Sequence, residues 1–223
     1  MSEKVRLIEV KENILDDNNV IAGALRDDLK NKKTFLMNLM ASPGAGKTTT
    51  LLSTLGRLKD DLKIGVMEAD IDSVVDAEKI ANAGIEAIQL RTGGFCHMDA
   101  TMVQDGLDAI GYDDFDLIVL ENVGNLVCPA EFDTGAILNA MILSIPEGDD
   151  KPLKYPLMFS VCNVLLVNKI DYLALSDFDM KAFRERVLRI NPDITIFEIS
   201  AKTGQGVDAW AEWLKKEVEK ITG

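Results

Sequence analysis

Thr34-Phe35-Leu36-Met37-Asn38-Leu39-Met40-Ala41-Ser42-Pro43-Gly44-Ala45-Gly46-Lys47-Thr48 is an apolar run that stops at a glycine-rich turn and restarts as a helix. Thr34 to Ala41 is almost continuously apolar, as a strand covered on both faces is. Ser42-Pro43-Gly44 breaks it, and a helix is predicted from Gly46-Lys47-Thr48 to about Leu58. Ala41 through Thr48 fits G-x-x-x-x-G-K-[ST], except that Ala41 stands where the first Gly would. The spacing has a mechanical reason. Small residues let backbone N–H groups wrap a phosphate chain, and the helix N-terminus behind them favours negative charge. Lys47 would reach the β- and γ-phosphates as the catalytic cation, and the Thr48 hydroxyl would ligate Mg²⁺. Pro43, Gly44, Ala45, Gly46, Lys47, Thr48 and Thr49 are the expected phosphate-contacting set.

Outward from this stretch, strand-like runs recur at Ile64 to Glu68, Ile85 to Leu90, Leu117 to Glu121, Val161 to Val167 and Ile194 to Ile199. Helical patterns lie around 72–83, 98–110, 179–190 and 207–221. Apolar strands alternating with helices predict an α/β fold with a mostly parallel sheet and helices on both faces. Before it, Val10, Ile14, Ile21, Leu25 and Leu29 recur near a helical period. Residues 1–33 are therefore expected to be an N-terminal helical extension packed on a domain spanning 34–223. The breaker-rich stretch 146–156 reads as one long loop, a solvated connection or a functional one.

The 223 residues suit one domain with an extension. Asp and Glu number 37 against 24 Lys and Arg, a formal net charge of −13. Nucleic acid and anionic membrane surfaces call for a basic face, so neither is expected as a partner. There is neither an 18-residue apolar run nor an apolar leader, and a cytoplasmic chain is expected. Three cysteines, Cys96, Cys128 and Cys162, favour metal binding or catalysis over a disulfide framework. Cys162 falls within an apolar strand and is assigned to the core.

Asn168-Lys169-Ile170-Asp171 follows the run ending at Val167. In GTPases an Asp here accepts two hydrogen bonds from guanine that adenine cannot supply, while the Asn and Lys brace the base and the phosphate loop. Ser200-Ala201-Lys202-Thr203 follows the next strand, where a guanine-contacting loop belongs. Glu121-Asn122-Val123-Gly124 resembles the Asp-x-x-Gly of GTPases with Glu at its head. Gly124 N–H would then sense the γ-phosphate, and Glu121 would hold Mg²⁺ directly or through water. Asp70 ends the preceding strand as a further Mg²⁺ partner or water-positioning carboxylate. Asp72 and Asp76 lie nearby, with capping of the next helix as the alternative.

Cys96 and His97 are adjacent, and Cys128 lies in Gly124-Asn125-Leu126-Val127-Cys128-Pro129. Thiolate and imidazole suit Zn²⁺ or Ni²⁺. Both loops follow the C-terminal ends of strands, the edge where α/β sheets bind ligands. A core role for a single Cys or His is the alternative. Reversible oxidation of Cys96 and Cys128 as a redox sensor is another, and a metal-binding module with only structural nucleotide is a third.

Gly94-Phe95-Cys96-His97-Met98-Asp99-Ala100, Glu121 through Asp133 and Lys151-Pro152-Leu153-Lys154-Tyr155-Pro156 together resemble the HypB family of GTPases in [NiFe]-hydrogenase maturation. The resemblance covers nearly the whole chain. It implies a three-layer P-loop fold of the signal-recognition-particle and MinD-like class, GTP-dependent homodimers, and GTP hydrolysis to GDP coupled to nickel delivery. It further implies a nickel metallochaperone partner, HypA, and the hydrogenase large-subunit precursor as recipient. Cys96, His97 and Cys128 would be the Ni²⁺ or Zn²⁺ ligands near a subunit interface. Neither Cys nor His precedes Cys96, so nickel storage is not expected. The urease-maturation relatives (UreG-like) carry Cys-Pro-His together, whereas Cys96-His97 and Cys128-Pro129 are separate here.

Overall fold

The computed structural model describes residues 10–70 and 75–223, and side chains from residue 14 onward. Expectations for residues 1–9, for the Val10 side chain and for Asp72 lie outside these. In chain order the elements are α1 (Val10–Asn31), β1 (Phe35–Ala41), α2 (Lys47–Leu58), β2 (Ile64–Asp70), α3 (Val75–Asn82), β3 (Glu86–Arg91), α4 (Ala100–Ile110), β4 (Leu117–Glu121), α5 (Cys128–Glu131), β5 (Leu138–Ser144), α6 (Lys151–Lys154), α7 (Pro156–Val161), β6 (Val164–Asn168), α8 (Met180–Ile190), β7 (Thr195–Glu198) and α9 (Val207–Thr222).

The seven strands form one sheet in the order β3-β2-β4-β1-β5-β6-β7, parallel at every junction. β1 is central and buried at all its positions. Side chains alternate across a strand, so Phe35, Met37 and Leu39 face one core with Leu51 and Leu55 of α2 and Trp210 and Leu214 of α9. On the opposite face Leu36 joins Leu25 and Leu29 of α1 and Val103 and Leu107 of α4. Met40 continues that face over Met158, Phe159, Phe183 and Val187. The three layers expected from the alternation of strands and helices are present. No helix among the described residues is long and apolar enough to cross a membrane.

Four local expectations are corrected. Leu138–Ser144, absent from the strands expected above, is β5. Its Ala, Met and Leu content gives a short apolar run that periodicity cannot tell from a buried helix, and pairing with β1 and β6 decides it. The run Val161 to Val167 is not one strand. Val161 ends α7 and β6 starts at Val164. Cys162 caps that helix instead of lying in a strand, yet it is buried as expected. The stretch 146–156 is not a plain loop. It contains α6 and the start of α7, each with a Pro in its first turn, where its missing N–H costs nothing. Finally, the inward face of α1 is Asn18, Ala22, Leu25 and Leu29, while Ile14 is 53 % exposed and Ile21 36 % exposed.

The face of α1 is testable by denaturant unfolding. Leu29→Ala removes a fully buried side chain and is expected to cost about 2–5 kcal/mol. Ile14→Ala is expected to change stability by no more than about 0.5 kcal/mol. Comparable losses for the two would place the helix face wrongly.

Candidate functional site

In an all-parallel sheet the loops leaving the C-terminal strand ends share one edge. The loop after β1 runs from Ser42 to Gly46, with Gly44 at φ +77° and Gly46 at φ +100°, a left-handed geometry that glycine adopts without strain. Gly46 is held sterically as well: a Cβ there would lie 2.6 Å from Asn168 Nδ2. α2 starts at Lys47 with no side-chain cap and no acidic residue in its first turn. Its free N–H groups face a cleft of about 500 Å³ lined by Pro43, Gly44, Gly46, Lys47, Thr48, Thr49 and Gly124 among others. Gly124 lies close to Lys47, whose Nζ would be 3.3 Å from a Cβ at that position.

A second cleft, of about 400 Å³, adjoins it through Gly46 and Thr49 and is lined by Asn168, Lys169, Asp171, Ser200, Ala201 and Lys202, with Pro146 and Tyr172 as walls. Asn168 Nδ2 donates to the Ala45 carbonyl at 3.0 Å, and Ala201 N donates to Asn168 Oδ1 at 3.1 Å. Lys169, at φ +61°, donates from Nζ to the Gly44 carbonyl at 2.6 Å. Ser200 Oγ donates to Asp171 Oδ1 at 2.6 Å, which aims that carboxylate into the cleft. Pro146 and Tyr172 were not singled out in the sequence, because nothing local marks a cleft wall.

Beside Lys47 the carboxylates of Glu68, Asp76 and Glu121 bring one oxygen each within 4.8 Å of one another. Thr48 Oγ1 donates to Glu121 Oε1 at 3.2 Å. Glu68 Oε2 and Glu121 Oε2 are buried atoms without a hydrogen-bond partner. Burial pushes both carboxyls up to about 7, and for Glu121 the nearby Lys47 ammonium pulls the other way. Oxygen donors with orphaned lone pairs fit a hard divalent cation such as Mg²⁺. Asp70 lines the same cleft but is not one of the three. Glu68 is the residue that sequence reading missed. Its signal is a carboxylate inside an otherwise apolar strand, since a buried charge needs a partner. Asp76, in the first turn of α3, joins the group and also pairs with Lys79 at 2.7 Å.

At the same edge, Cys96 and His97 from the loop after β3 meet Cys128, the first residue of α5. Cys96 Sγ and Cys128 Sγ are 2.8 Å apart, and Cys96 Sγ is 3.8 Å from His97 Nδ1. The thiol contact with Cys128 and partial burial push the Cys96 thiol up, while burial lowers the His97 imidazole. A metal ion relieves both by taking the thiolates and the neutral ring as ligands. Phe132 stacks on the His97 ring at 3.8 Å between centroids and 16° between planes. Asn125 Nδ2 donates weakly to the Cys96 carbonyl at 3.4 Å, and Val127 N donates to Asn125 Oδ1 at 2.8 Å. Cys162 lies apart, with burial pushing its thiol up.

Comparison with known proteins gives the family of the chain. Residues 35–198 match the family model "CobW/HypB/UreG, nucleotide-binding domain". The chain is 44 % identical over 217 residues to the hydrogenase maturation factor HypB of Escherichia coli (strain K12), covering 97 % of this chain and 74 % of that protein. HypB from Helicobacter pylori, solved in complex with nickel, superposes with a TM-score of 0.84 at 34 % identity, covering 92 % of this chain and 96 % of that one. HypB from Archaeoglobus fulgidus gives 0.85 at 34 % identity, covering 92 % and 100 %. The signal recognition particle receptor FtsY of Elizabethkingia anophelis, with GDP, gives 0.55 at 13 % identity over 91 % and 77 %, a likeness of fold. The fold is thus that of the P-loop GTPases related to the signal recognition particle. The chain belongs to the HypB family of hydrogenase maturation factors.

Proposed function

We propose that this chain is a GTP-hydrolysing nickel-insertion accessory protein of [NiFe]-hydrogenase maturation, which holds nickel or zinc at Cys96, His97 and Cys128 and releases it under nucleotide control. The observation that carries this reading is the convergence of two thiols and an imidazole within 4.8 Å. Cys128 lies at the end of the loop that, four residues earlier, passes Gly124 beside Lys47, while Cys96 and His97 come from the loop after β3. The nickel complex of the Helicobacter pylori relative supports it. That organism's HypB is named a hydrogenase/urease maturation factor, so nickel delivery to a urease is the second reading.

In this proposal the backbone from Pro43 to Gly46, with Thr49, cradles the phosphates. Lys47 neutralises the β- and γ-phosphates, and Gly124 N–H reports the γ-phosphate. Asp171 takes two guanine donors, with Asn168, Lys169, Ser200, Ala201 and Lys202 completing the base site. Thr48 and Glu121 hold Mg²⁺, with Glu68 and Asp76 in reach and Asp70 positioning water; the ion, when bound, neutralises phosphate charge. Hydrolysis is in-line attack by water, driven by positioning and charge stabilisation. No Gln or Arg lines the described cleft, so intrinsic turnover is slow. Three ligands leave a tetrahedral shell one short, and water or a second copy in a GTP-dependent homodimer completes it. HypA and the hydrogenase large-subunit precursor exchange metal with it. Residues 1–33 serve as an extension of the GTPase domain at 34–223.

Guanine selection is tested by calorimetric titration with GTP, ATP and xanthosine triphosphate. Asp171→Asn takes the charged acceptor away from the guanine donors, a loss of about 1.5–3 kcal/mol. GTP binding weakens by about tenfold or more and discrimination against xanthine relaxes. Wild-type protein binding ATP as well as GTP contradicts the assignment.

Nickel and zinc titrations of the GDP and GTP-analogue forms test the switch. Cys96→Ala, His97→Ala and Cys128→Ala each lower metal affinity and leave GTP binding nearly intact, whereas Cys162→Ala alters stability instead. In wild type, affinity differs between nucleotide states by about 5–150-fold, and by reciprocity metal shifts the GTP-to-GDP preference by the same factor. Equal affinities in both states would remove the nucleotide control.

The buried carboxyls give a pH dependence. With Glu68 and Glu121 pushed from 4.5 to about 7, the folded chain retains protons that the unfolded chain has released. Their contribution to stability therefore falls as pH rises from about 4.5 to about 7, and is level above that. Thermal melts of metal-free protein between about pH 5 and about pH 8 should be steeper for wild type than for Glu68→Gln. Identical pH profiles would show that Glu68 carries no such shift.

A further inference from the structure

We propose that α1 is the frame of the metal site. Asn18 fixes the spacing of the two ligand loops, and Phe132 sets the plane of the His97 ring. This rests on the reading of Cys96, His97 and Cys128 as nickel or zinc ligands.

Asn18 is 7 % exposed, a polar residue on the face of α1 that buries Ala22, Leu25 and Leu29. Its side-chain amide bonds both ligand loops. Oδ1 accepts from the backbone N–H of Ala100 at 2.9 Å, and Nδ2 donates to the carbonyl of Asp133 at 2.8 Å. Ala100 follows His97 by three residues and opens α4, so this bond satisfies one of that helix's orphan donors. Asp133 follows Cys128 by five residues, just past the end of α5. The Asn amide offers a donor and an acceptor in one rigid plane, so the distance between the loops follows from a single group. Asp99 closes the first loop by capping α4, accepting from Met102 N at 2.8 Å.

Arg26, two turns further along α1, strengthens the second attachment. Its guanidinium donates to both carboxylate oxygens of Asp133, at 2.5 and 2.8 Å, and its Nε donates to the Ala136 carbonyl at 2.9 Å. Nη2 alone reaches both carboxylate oxygens while Nε holds the Ala136 carbonyl, so one guanidinium pins Asp133 and the backbone three residues on. Phe132 is the residue next to Asp133, and it lies flat against His97. The chain of contact runs from α1 through Asp133 to Phe132 and then to the ligand ring. A metal-binding imidazole needs its plane fixed, ordinarily by a hydrogen bond to its second nitrogen. Here a stacked ring limits rotation. The simpler role for Asn18 is satisfaction of two buried backbone groups. That role stabilises the fold and leaves metal affinity untouched, so measurements on the folded protein separate the two.

The test titrates Ni²⁺ and Co²⁺ into full-length wild type, Asn18→Ala, Asn18→Ser, Phe132→Leu, Phe132→Tyr and Cys96→Ala. Visible spectra report the thiolate-to-metal and ligand-field bands, and each variant is melted and titrated with a GTP analogue. Supporting partners of ligands typically contribute about 10–100-fold in metal affinity. The expected result is nickel affinity about tenfold lower in Asn18→Ala and Phe132→Leu, with shifted bands. Analogue binding stays within about twofold, and Phe132→Tyr, which keeps the ring face, returns to wild-type values. If Asn18→Ala does not fold, Asn18→Ser and Phe132→Leu decide. Wild-type affinity and bands in Asn18→Ser and Phe132→Leu, with binding lost in Cys96→Ala, overturn the frame alone. Undiminished nickel binding in Cys96→Ala overturns the ligand assignment and the frame with it.

Discussion

The side-chain amide of Asn168 holds three loops that the sheet alone would leave independent. It donates to the Ala45 carbonyl and, at 3.3 Å, to Thr50 Oγ1, and it accepts from Ala201 N. β1 and β6 are not neighbours, since β5 lies between them, so this amide reaches across a strand to lock the loop after β1 to the loops after β6 and β7. Burying an amide is unfavourable unless its hydrogen bonds are made, and its partners here are fixed backbone and a buried hydroxyl. The requirement propagates. Gly46 must be glycine because a Cβ would collide with this amide. Lys169 then reaches back to Gly44 from a left-handed backbone. The two clefts are thereby fixed to each other before any nucleotide arrives.

The same edge gathers carboxylates around two lysines, Lys47 and Lys79. Three carboxylates converge beside Lys47, in a chain whose formal charge is already −13. Two of them sit in a place where ionisation is disfavoured, which is why they hold protons to about 7. Phosphate oxygens would worsen the repulsion if they came alone. A divalent cation reverses its sign, which couples nucleotide and cation binding on electrostatic grounds. Glu121 lies at the centre of this balance. It accepts from Thr48, faces Lys47, and heads the segment that leads to Gly124.

The parallel sheet and most of the residues that line the two clefts were legible in the sequence because their signals are local. An apolar run, a glycine turn and a lysine at fixed spacing need no tertiary information. Asn168, Asp171 and Ser200 follow by their places after strands. β5 was not legible, since a run of Ala, Met, Ile and Leu becomes a strand only by pairing on both sides. Nor was the buried face of α1, where Asn18 takes an inward place that an apolar pattern assigns elsewhere. Glu68 was visible as a letter but not as a partner of Glu121. They belong to neighbouring strands, and their register, Glu68 opposite Glu121, is fixed only by folding.

Strand order also determines how the two halves of the site can communicate. β4 is hydrogen-bonded to β1 on one side and β2 on the other, while β3 is the edge strand beyond β2. The loop leaving β4 therefore starts against the phosphate loop at Gly124 and ends at Cys128. The loop leaving β3 has no neighbouring phosphate-binding strand. It brings Cys96 and His97 to the site from the periphery, steadied by the Asn125 side chain and by Asn18 of α1. The candidate ligands thus span one loop, leaving β4, that passes the loop after β1 at Gly124, and another leaving β3, and α1 ties down both through Asn18. Because coordination distances tolerate only a few tenths of an ångström, moving the first loop against the second is enough to dismantle the shell. Neither loop needs to unfold. In the proposed reading a displacement at Gly124 would reach Cys128 through four residues of chain while the sheet beneath stays fixed.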